Sequence, residues 1–409
     1  MRRAVALLLG AAAVFAFAPP AQGAPQDAVR DREYWLDDYG IRDAWAVTRG
    51  AGVTIAIIDT GVAGDVADLA GAVVGGADFS GIGSPDGQRP IGDNPQHGTL
   101  VASLAAGRGT GPTSGVIGSA PEASILSLSV GFGGGSDAQI AEAVTWAVDN
   151  GADVINMSLT RNTLDWPESW DDAFLHAAEH DVVIVAAAGN RASGTVEVGA
   201  PATMPGVLTV GGVDESGQAS WDASSQGITI GVAAPSERLV GVTPAGRYIT
   251  WAGTSGATPI VAGVVALVRA AHPDLDAANV INRIVATARD AGPAGADYTY
   301  GFGYLDAAAA VSSDVPQVSA NPMGDLAEWV RVNRRADATP QAVDPIVAVP
   351  EAPEAPGEPG TADPTGVLLP SLVALQLVGA PVLAVALMLF VVGGLVVGAL
   401  RGIRPPRSR

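Results

Sequence analysis

The sequence contains no cysteine and no lysine. Without cysteine, disulfide bonds, thiolate metal sites and cysteine nucleophiles are all excluded. The 22 basic residues are therefore all arginine, and 42 acidic residues outnumber them to give a formal net charge of −20. This charge argues against a nucleic-acid partner, because neutralising phosphates requires clustered basic side chains. At 409 residues the chain is long enough for one large domain with further segments at its ends.

Both ends of the chain carry an apolar run next to arginines. Residues 1–23 combine two arginines, an apolar run and a small-residue pattern, which together predict a cleaved signal peptide. Residues 367–400 predict a transmembrane segment, because their last part, 381–400, is a charge-free run of about 20 residues. The positive-inside rule places the arginine-rich tail, 401–409, in the cytoplasm. We therefore expect a single-pass cell-membrane protein that contacts lipid through this helix and holds its main domain on the extracytoplasmic side.

Between these ends the composition divides the chain into a folded domain and a stalk. Residues 313–366 are rich in Pro, Ala and Glu, which favours extended conformation and cannot build a core. Within them, residues 324–335 fit a short helix or a disordered segment equally well. Residues 24–312 alternate apolar runs with helical patterns, so they predict an α/β domain with a doubly wound, mostly parallel sheet flanked by helices. The predicted strands are 53–59, 123–130, 152–159, 181–189 and 206–213.

Four polar residues lie at strand ends or helix starts of this predicted domain. Asp59 and Asn190 end strands, whereas His97 and Ser255 begin helices. Ligands of such folds bind at the carboxyl ends of the strands. A carboxylate that orients an imidazole, an imidazole that takes a serine proton, and an amide that stabilises an oxyanion form a nucleophilic site. Each residue taken alone also fits a turn or a helix cap, so this pattern leaves Ser255 open between cap and nucleophile.

Five motifs, in their order along the chain, resemble the subtilisin-like serine peptidases of the S8 family. The resemblance covers about residues 35–311 and implies a subtilisin-like fold and a serine endopeptidase that cleaves peptides or proteins without a required cofactor. It implies that Asp59 orients His97, that His97 acts as base, that Ser255 attacks, and that Asn190 lines the oxyanion hole. The motifs are AIIDTGV, HGTLVAS, VINMSL, VAAAGN and GTSGATPIVAGVVAL.

The same resemblance implies two short strands that pair with the substrate backbone, and a third segment that walls the first specificity pocket together with the second strand. Their residues are Gly133, Gly134, Gly135, Ser158, Leu159, Thr160, Ala187, Ala188 and Gly189. Thr160 stands where the family usually has glycine, and its methyl and hydroxyl groups predict a preference for small aliphatic side chains before the cleaved bond. Two further departures are Leu100, where histidine is frequent, and Gly256, where a larger apolar residue is usual. We expect Gly256 to loosen the start of the nucleophile helix.

The layout of signal peptide, peptidase domain, stalk and single C-terminal helix resembles the mycosins, membrane-anchored proteases associated with type VII secretion in actinobacteria. This resemblance implies that the protein processes type VII secretion substrates and contacts a secretion-channel complex. An alternative is a structural component that braces such a complex, with proteolysis secondary to that role.

Metal sites have weaker signals in the sequence. His176, Glu179 and His180 match an H-x-x-E-H pattern, which leaves a zinc peptidase as a third alternative, although no further ligand is evident. His272 follows the helix after Ser255, where a capping role is expected. Structural calcium is common in the subtilisin-like family, but no acidic calcium loop appears and no site can be assigned. We therefore assign no metal-binding residue.

Overall fold

A parallel β-sheet of seven strands lies at the centre of the computed structural model, which describes residues 27–133 and 135–334. The strands run in the order β2-β3-β1-β4-β5-β6-β7, with every neighbouring pair parallel. They are β1 (Thr54–Asp59), β2 (Val73–Asp78), β3 (Ser124–Ser129), β4 (Val154–Met157), β5 (Val183–Ala187), β6 (Leu208–Val213) and β7 (Ile230–Pro235). A separate antiparallel hairpin joins β8 (Leu239–Val242) to β9 (Tyr248–Trp251).

Helices cover both faces of the sheet, which confirms the predicted doubly wound α/β class. The helices of the described residues are α1 (Trp35–Asp38), α2 (Ile41–Ala44), α3 (His97–Ala106), α4 (Ser136–Asp149), α5 (Ser169–Glu179), α6 (Thr254–Ala271), α7 (Ala277–Ala286), α8 (Ala307–Ser312) and α9 (Leu326–Asn333). Apolar residues of α3, α6, α7 and α8 form one buried cluster with the sheet, and those of α4 and α5 form a second cluster on the other face. The sheet is therefore buried on both sides, as its uninterrupted apolar strands predicted.

The helix α6 is the centre of one of these two layers. It packs against β4, β5, β6 and β7, and 14 of its 18 residues are buried. Among the described residues, it is the one helix long and apolar enough to cross a membrane, but it lies 78% buried inside the domain. Its apolar surface is therefore used in the core. The predicted signal peptide, the remainder of the stalk (335–366), the transmembrane segment and the tail lie outside the described residues.

The strand order creates a switch point at β1. The chain passes from β1 to the edge strand β2, returns to β3 beside β1, and then crosses to β4 on the other side of β1. Asp59, at the carboxyl end of β1, pairs with Ser129 of β3. Connections leave in opposite directions at such a point, so a crevice opens at the carboxyl ends of the strands. Asp59 therefore lies where a doubly wound sheet binds its ligands.

Five of the seven strands of the sheet match the predicted strands, and two were missed. β2 contains Gly75 and Gly76 and is only partly buried, so it lacks the apolar run that predicts a central strand. β7 (IGVAAP) has a single valine between small residues, and its burial comes from its neighbours. Both strands owe their conformation to pairing with the sheet.

The structure corrects the predicted start of the stalk. Residues 313–334 pack against the domain, because Val318 N–H donates to Asn279 Oδ1 at 2.7 Å and Asn282 Nδ2 donates to Pro316 O at 3.0 Å. In α9, the Trp329 ring lies 4.4 Å from the Trp166 ring, centroid to centroid. The Pro-rich composition of the whole segment concealed these contacts, because they depend on side chains far away in sequence. The stalk prediction is therefore wrong for residues 313–334.

Candidate active site

A buried carboxylate and an imidazole form the centre of the site. Asp59 is 0% exposed, and its Oδ1 and Oδ2 lie 2.8 and 2.9 Å from Nδ1 of His97, the first residue of α3. A carboxylate accepts hydrogen bonds and does not donate them, so Nδ1 carries the proton and Nε2 is the basic nitrogen of the neutral ring. The pair therefore fixes one tautomer of His97.

The electrostatics of His97 result from two opposed effects. Burial lowers the pKa of His97, but the charge of Asp59 and its hydrogen bond raise it more, so the pKa lies above its ordinary value. The side chain of His97 keeps 18% of its surface exposed, while that of Asp59 keeps none. The imidazole is thus both stabilised as a cation and open to a reactant.

Thr60 connects the two elements that carry this pair, and sequence reasoning missed it. Its backbone N–H donates to Asp59 Oδ1 at 2.7 Å, and its hydroxyl donates to the same oxygen at 3.2 Å. Thr60 Oγ1 also accepts the backbone N–H of Gly98 at 3.0 Å, in the first turn of α3. The carboxylate and the start of α3 are therefore held together by one residue. The adjacent Asp-Thr in the sequence was the available signal.

Ser255 is the second residue of α6, and its side chain faces Ser158 after β4. Ser255 Oγ donates to Ser158 O at 3.2 Å, and Ser158 Oγ donates to Ser255 O at 2.9 Å. The hydrogen bonds of the described residues include none between Ser255 and His97. The serine hydroxyl therefore rests on a backbone carbonyl in this structure.

Asn190 lies beside the start of α6, where its amide orientation is determined by Thr254. Thr254 N–H donates to Asn190 Oδ1 at 2.7 Å, and Thr254 Oγ1 lies 3.0 Å from the same oxygen. Because a backbone N–H only donates, the amide oxygen must face Thr254 and Nδ2 must point away from it. The preceding Gly253 has φ of 141°, a conformation that favours glycine. The amide donor and the first turn of α6 are thus placed together.

A cleft of about 490 Å³ lies next to His97. It is lined by Thr60, Ile82, Ile91, Gly92, Asp93, Asn94, His97, Val130, Gly131, Phe132, Ser158, Leu159 and Thr160. Three predicted substrate-binding residues, Ser158, Leu159 and Thr160, therefore line one cavity with His97. Sequence reasoning missed Ile82, whereas Phe132 lies next to the predicted glycines in the strand expected to pair with the substrate; the two residues are 62% and 55% exposed.

The predicted glycine segment of the substrate site does not line this cleft. Gly133 and Gly135 come just before α4, outside the cleft lining. Gly134 lies outside the described residues. Of the chain between β3 and α4, the cleft lining includes Val130, Gly131 and Phe132.

The third predicted substrate-binding segment contacts the start of α6. Ala187 ends β5, and Ala188 and Gly189 follow it, with both alanines buried and none of the three in the cleft lining. Gly189 N–H donates to Thr254 Oγ1 at 3.1 Å. This segment therefore contacts the start of α6.

Gly256 does not leave a gap at the start of α6, which corrects the expected loosening. A Cβ on Gly256 would lie 2.3 Å from Leu239 Cδ1 and 3.3 Å from Trp251 Cη2, so these side chains occupy the space. The first turn is closed by the Gly256 N–H, which donates to Gly253 O at 2.9 Å. The small residue is therefore matched by large neighbours.

The histidines outside the cleft have other partners. His176 Nε2 lies 2.8 Å from Asp149 Oδ1, and His180 Nδ1 donates to His176 O at 2.8 Å. Across residues 27–133 and 135–334, no three His, Asp or Glu side chains converge as a metal-ligand set. His272 is the C-cap residue of α6 and its backbone N–H donates to Val268 O at 2.9 Å, whereas its side-chain Nε2 donates to Val311 O of α8 at 2.7 Å.

Comparison with known proteins places this geometry among characterised relatives. Residues 50–303 match the model of the subtilase family. Subtilisin DY of Bacillus licheniformis is 37% identical over 269 residues, covering 64% of this chain and 92% of that protein. Mycosin-1 of Mycobacterium tuberculosis is 35% identical over 341 residues, covering 69% of this chain and 74% of that protein. One similar solved structure is described as a serine protease MycP1, an essential component of the type VII (ESX-1) secretion system. It is 34% identical with a TM-score of 0.59, covering 71% of this chain and 90% of that one.

Proposed function

The chain belongs to the subtilase family of serine endopeptidases, and from this premise we propose that Asp59, His97 and Ser255 hydrolyse peptide bonds through an acyl-enzyme. The observation that carries the proposal is the hydrogen bond between the buried Asp59 carboxylate and His97 Nδ1. It leaves Nε2 as the base, and this nitrogen is the one that a serine catalytic triad requires.

Each step of the reaction uses a group that has been located. Ser255 Oγ turns from Ser158 O toward His97, gives its proton to Nε2 and attacks the carbonyl carbon of the peptide. The tetrahedral oxyanion is stabilised by Asn190 Nδ2 and by the Ser255 N–H, which lies in the first turn of α6 where N–H groups lack helical partners. The imidazolium of His97 then protonates the leaving amine. A water molecule, deprotonated by the same nitrogen, hydrolyses the ester and frees Ser255.

The substrate in this proposal is an extended peptide or protein segment that lies in the cleft beside His97. The cleft is lined by apolar side chains, Ile82, Phe132 and Leu159 among them, and Asp93 is the one acidic side chain of its lining. Such a lining favours apolar peptide side chains, because their burial releases water from both surfaces.

We further propose that the peptidase is exported and anchored at the cell membrane. The support is in the sequence: the signal-like residues 1–23, the charge-free run 381–400 and the arginine-rich tail 401–409. Similarity to mycosin-1 and to the MycP1 structure supports a place in type VII secretion, where the protein would process secreted substrates.

A second candidate function is a structural role in a membrane secretion complex, with proteolysis secondary. It is favoured by the description of the related MycP1 as an essential component of such a system. If the structural role dominates, a Ser255→Ala chain should still assemble with membrane channel components and restore secretion in cells that lack the protein. If proteolysis dominates, the same variant should assemble without restoring the processing of secreted proteins.

The proposal is tested by labelling the full-length protein, purified in detergent, with a fluorophosphonate probe that reacts with activated serines. We expect wild type to be labelled and both Ser255→Ala and His97→Ala to lose the label. Ser216→Ala is the matched control, because Ser216 lies in an exposed turn and makes its hydrogen bonds within that turn. An unlabelled but folded wild type would reject the peptidase proposal, and labelling that survives in Ser255→Ala would reject Ser255 as nucleophile.

A further inference from the structure

Trp251 packs against the imidazole of His97. It is the last residue of β9, four positions before Ser255, and its ring centroid lies 5.9 Å from that of His97. The two planes meet at 75°, an edge-to-face arrangement that aromatic rings prefer. The orientation of His97 is therefore bounded by a hydrogen bond on Nδ1 and by an indole against its ring.

Three elements converge to hold this indole in place. Leu239 of β8 pairs with Trp251 across the hairpin. A Cβ on Gly256 would come within 3.4 Å of Trp251 Cζ2 and within 2.3 Å of Leu239 Cδ1. Gly256 is part of α6, and its helical backbone would accept a side chain. Glycine is required here only because the neighbouring side chains leave no space. Leu239 Cδ1 thus fills the space that a side chain at position 256 would take, and the indole borders the same space.

The second departure from the family pattern lies at the same place. Leu100 is one turn after His97 on α3, and a Cβ on Gly241 of β8 would lie 2.9 Å from Leu100 Cδ2 and 3.1 Å from Trp251 Nε1. Trp251 Nε1 is buried, and it has no hydrogen-bond partner among the described residues. Packing therefore sets the position of the Trp251 indole, and its buried Nε1–H is left without a hydrogen-bond acceptor among the described residues.

We propose that Trp251 is a positioning residue that holds the His97 ring in the plane where Nδ1 meets Asp59 and Nε2 is presented to Ser255. This inference rests on the proposed peptidase function. Gly256 and Leu100 are the complementary residues that make room for the indole and support it. Trp251 acts through His97, because its Nε1–H is buried beside Gly241 and an indole is too weak an acid to transfer its proton.

Removing the indole has two consequences for His97. The ring gains freedom to turn away from Ser255, and a small misplacement of a catalytic group lowers the rate by roughly 10- to 100-fold. Water also reaches the ring, and because burial disfavours the imidazolium, hydration raises the pKa of His97. The charged groups that face His97 are Asp59 from β1 and Asp93 from the cleft, and β9 and α6 contribute neutral side chains. Neither carboxylate is altered by this change.

The test measures kcat and the pH profile of kcat/KM on a peptide substrate, with full-length Trp251→Ala, Trp251→Phe and Trp221→Ala. We expect Trp251→Ala to lose roughly 10- to 100-fold in kcat and to move the acidic limb to higher pH. Trp251→Phe, which keeps an aromatic ring, should retain most of the rate. Trp221→Ala is the matched control, because Trp221 is 72% exposed and lies outside the cleft.

A rescue variant separates positioning from general packing. Trp251→Phe is this rescue, because it restores a ring beside His97 and should bring back most of the kcat that Trp251→Ala loses, whereas Gly256→Ala presses first on Leu239 Cδ1 and should lower the free energy of unfolding without moving the acidic limb. If Trp251→Ala does not fold, Trp251→Leu keeps apolar volume without the ring and carries the same comparison. Wild-type kcat and an unshifted acidic limb in the folded variant would overturn the inference. Failure of wild type to react with the fluorophosphonate probe would instead reject the proposed function on which it rests.

Discussion

Ser255 and Ser158 are hydrogen-bonded to each other twice, each through its hydroxyl to the backbone carbonyl of the other, at 3.2 and 2.9 Å. This reciprocal pair joins the start of α6 to the segment after β4. Ser158 Oγ also accepts from Asn156 Nδ2 at 3.0 Å, inside the end of the sheet. Ser255 is therefore held at the end of the sheet, and its position depends on a residue about a hundred positions earlier in the sequence.

Replacing Ser158 by alanine removes one half of this pair while leaving its carbonyl. Because the Ser158 hydroxyl makes two hydrogen bonds, we expect the free energy of unfolding to fall by about 2 kcal/mol, roughly 1 kcal/mol for each. We expect kcat to fall several-fold, because the first turn of α6 loses one of its contacts with the segment after β4. Chemical unfolding and peptide hydrolysis measure the two effects. Ser216→Ala provides the comparison, and equal values for both variants would contradict the expectation.

Asn190→Asp tests the amide donor with little change in shape. The aspartate keeps an oxygen for the Thr254 N–H but replaces the Nδ2 donor with a negative oxygen. We expect kcat to fall by at least about 10²- to 10³-fold with KM little changed, because the lost interaction forms only in the transition state. Steady-state kinetics and thermal unfolding separate this effect from instability. A variant that hydrolyses peptides at the wild-type rate would remove Asn190 from the oxyanion hole.

The pH dependence of hydrolysis should report His97. Its pKa is raised by Asp59, so the base form disappears as pH falls through a value above the ordinary one, and kcat/KM falls with it. In Asp59→Asn the charge is gone, so the acidic limb should move to lower pH while the maximal rate drops, because the tautomer is no longer held. Rates measured from about pH 5 to about pH 9 show both changes. An acidic limb at the wild-type pH in Asp59→Asn would contradict this assignment.

Thr160 should restrict the side chain before the cleaved bond. Its hydroxyl donates to Arg161 O at 3.0 Å and lies 2.7 Å from where a Cβ on Gly199 would be, so little space remains between these segments. We expect Thr160→Gly to shift cleavage of a peptide library toward larger side chains. Thr160→Ser, which loses only the methyl group, should shift it less. A wild-type preference for large aromatic side chains would show that Thr160 does not set the limit.

Glu33 should make the stability depend on pH. It is 1% exposed, its Oε1 accepts the Ile117 N–H at 2.7 Å, and Arg30 Nε lies 3.6 Å from Oε2. Burial raises the pKa of Glu33 from 4.5 to about 8. Since the folded pKa exceeds the unfolded one, its stabilisation is complete below the unfolded pKa and is lost as pH rises toward about 8.

We expect the free energy of unfolding to fall with pH in that window, by at most about 1.4 kcal/mol per pH unit from this group. Glu33→Gln should flatten the slope, whereas Glu122→Gln, at an exposed ion pair with Arg49, should not. Denaturant unfolding across the window measures both variants. Identical slopes in wild type and Glu33→Gln would exclude Glu33 as the titrating group.

Much of the site could be predicted because its residues stand at the ends of regular elements. Asp59 ends an apolar strand and His97 begins a helix, and their contact follows from the topology of a doubly wound sheet. Thr60 and Trp251 were missed, because a hydroxyl that bridges two elements and an indole that covers a ring leave no periodic signal. Hydrophobic periodicity reports burial within one element and carries no information on which distant side chain is adjacent.

The sequence by itself determined the fold class, the two apolar terminal segments and the order of the reactive side chains, since these follow from apolar runs, charges and local motifs. Tertiary structure decided how Ser255 rests on Ser158, why Gly256 is small, and that residues 313–334 belong to the domain. Each of these depends on packing between elements far apart in the chain, where a volume or a hydrogen-bond partner is supplied by a residue that no local pattern can identify.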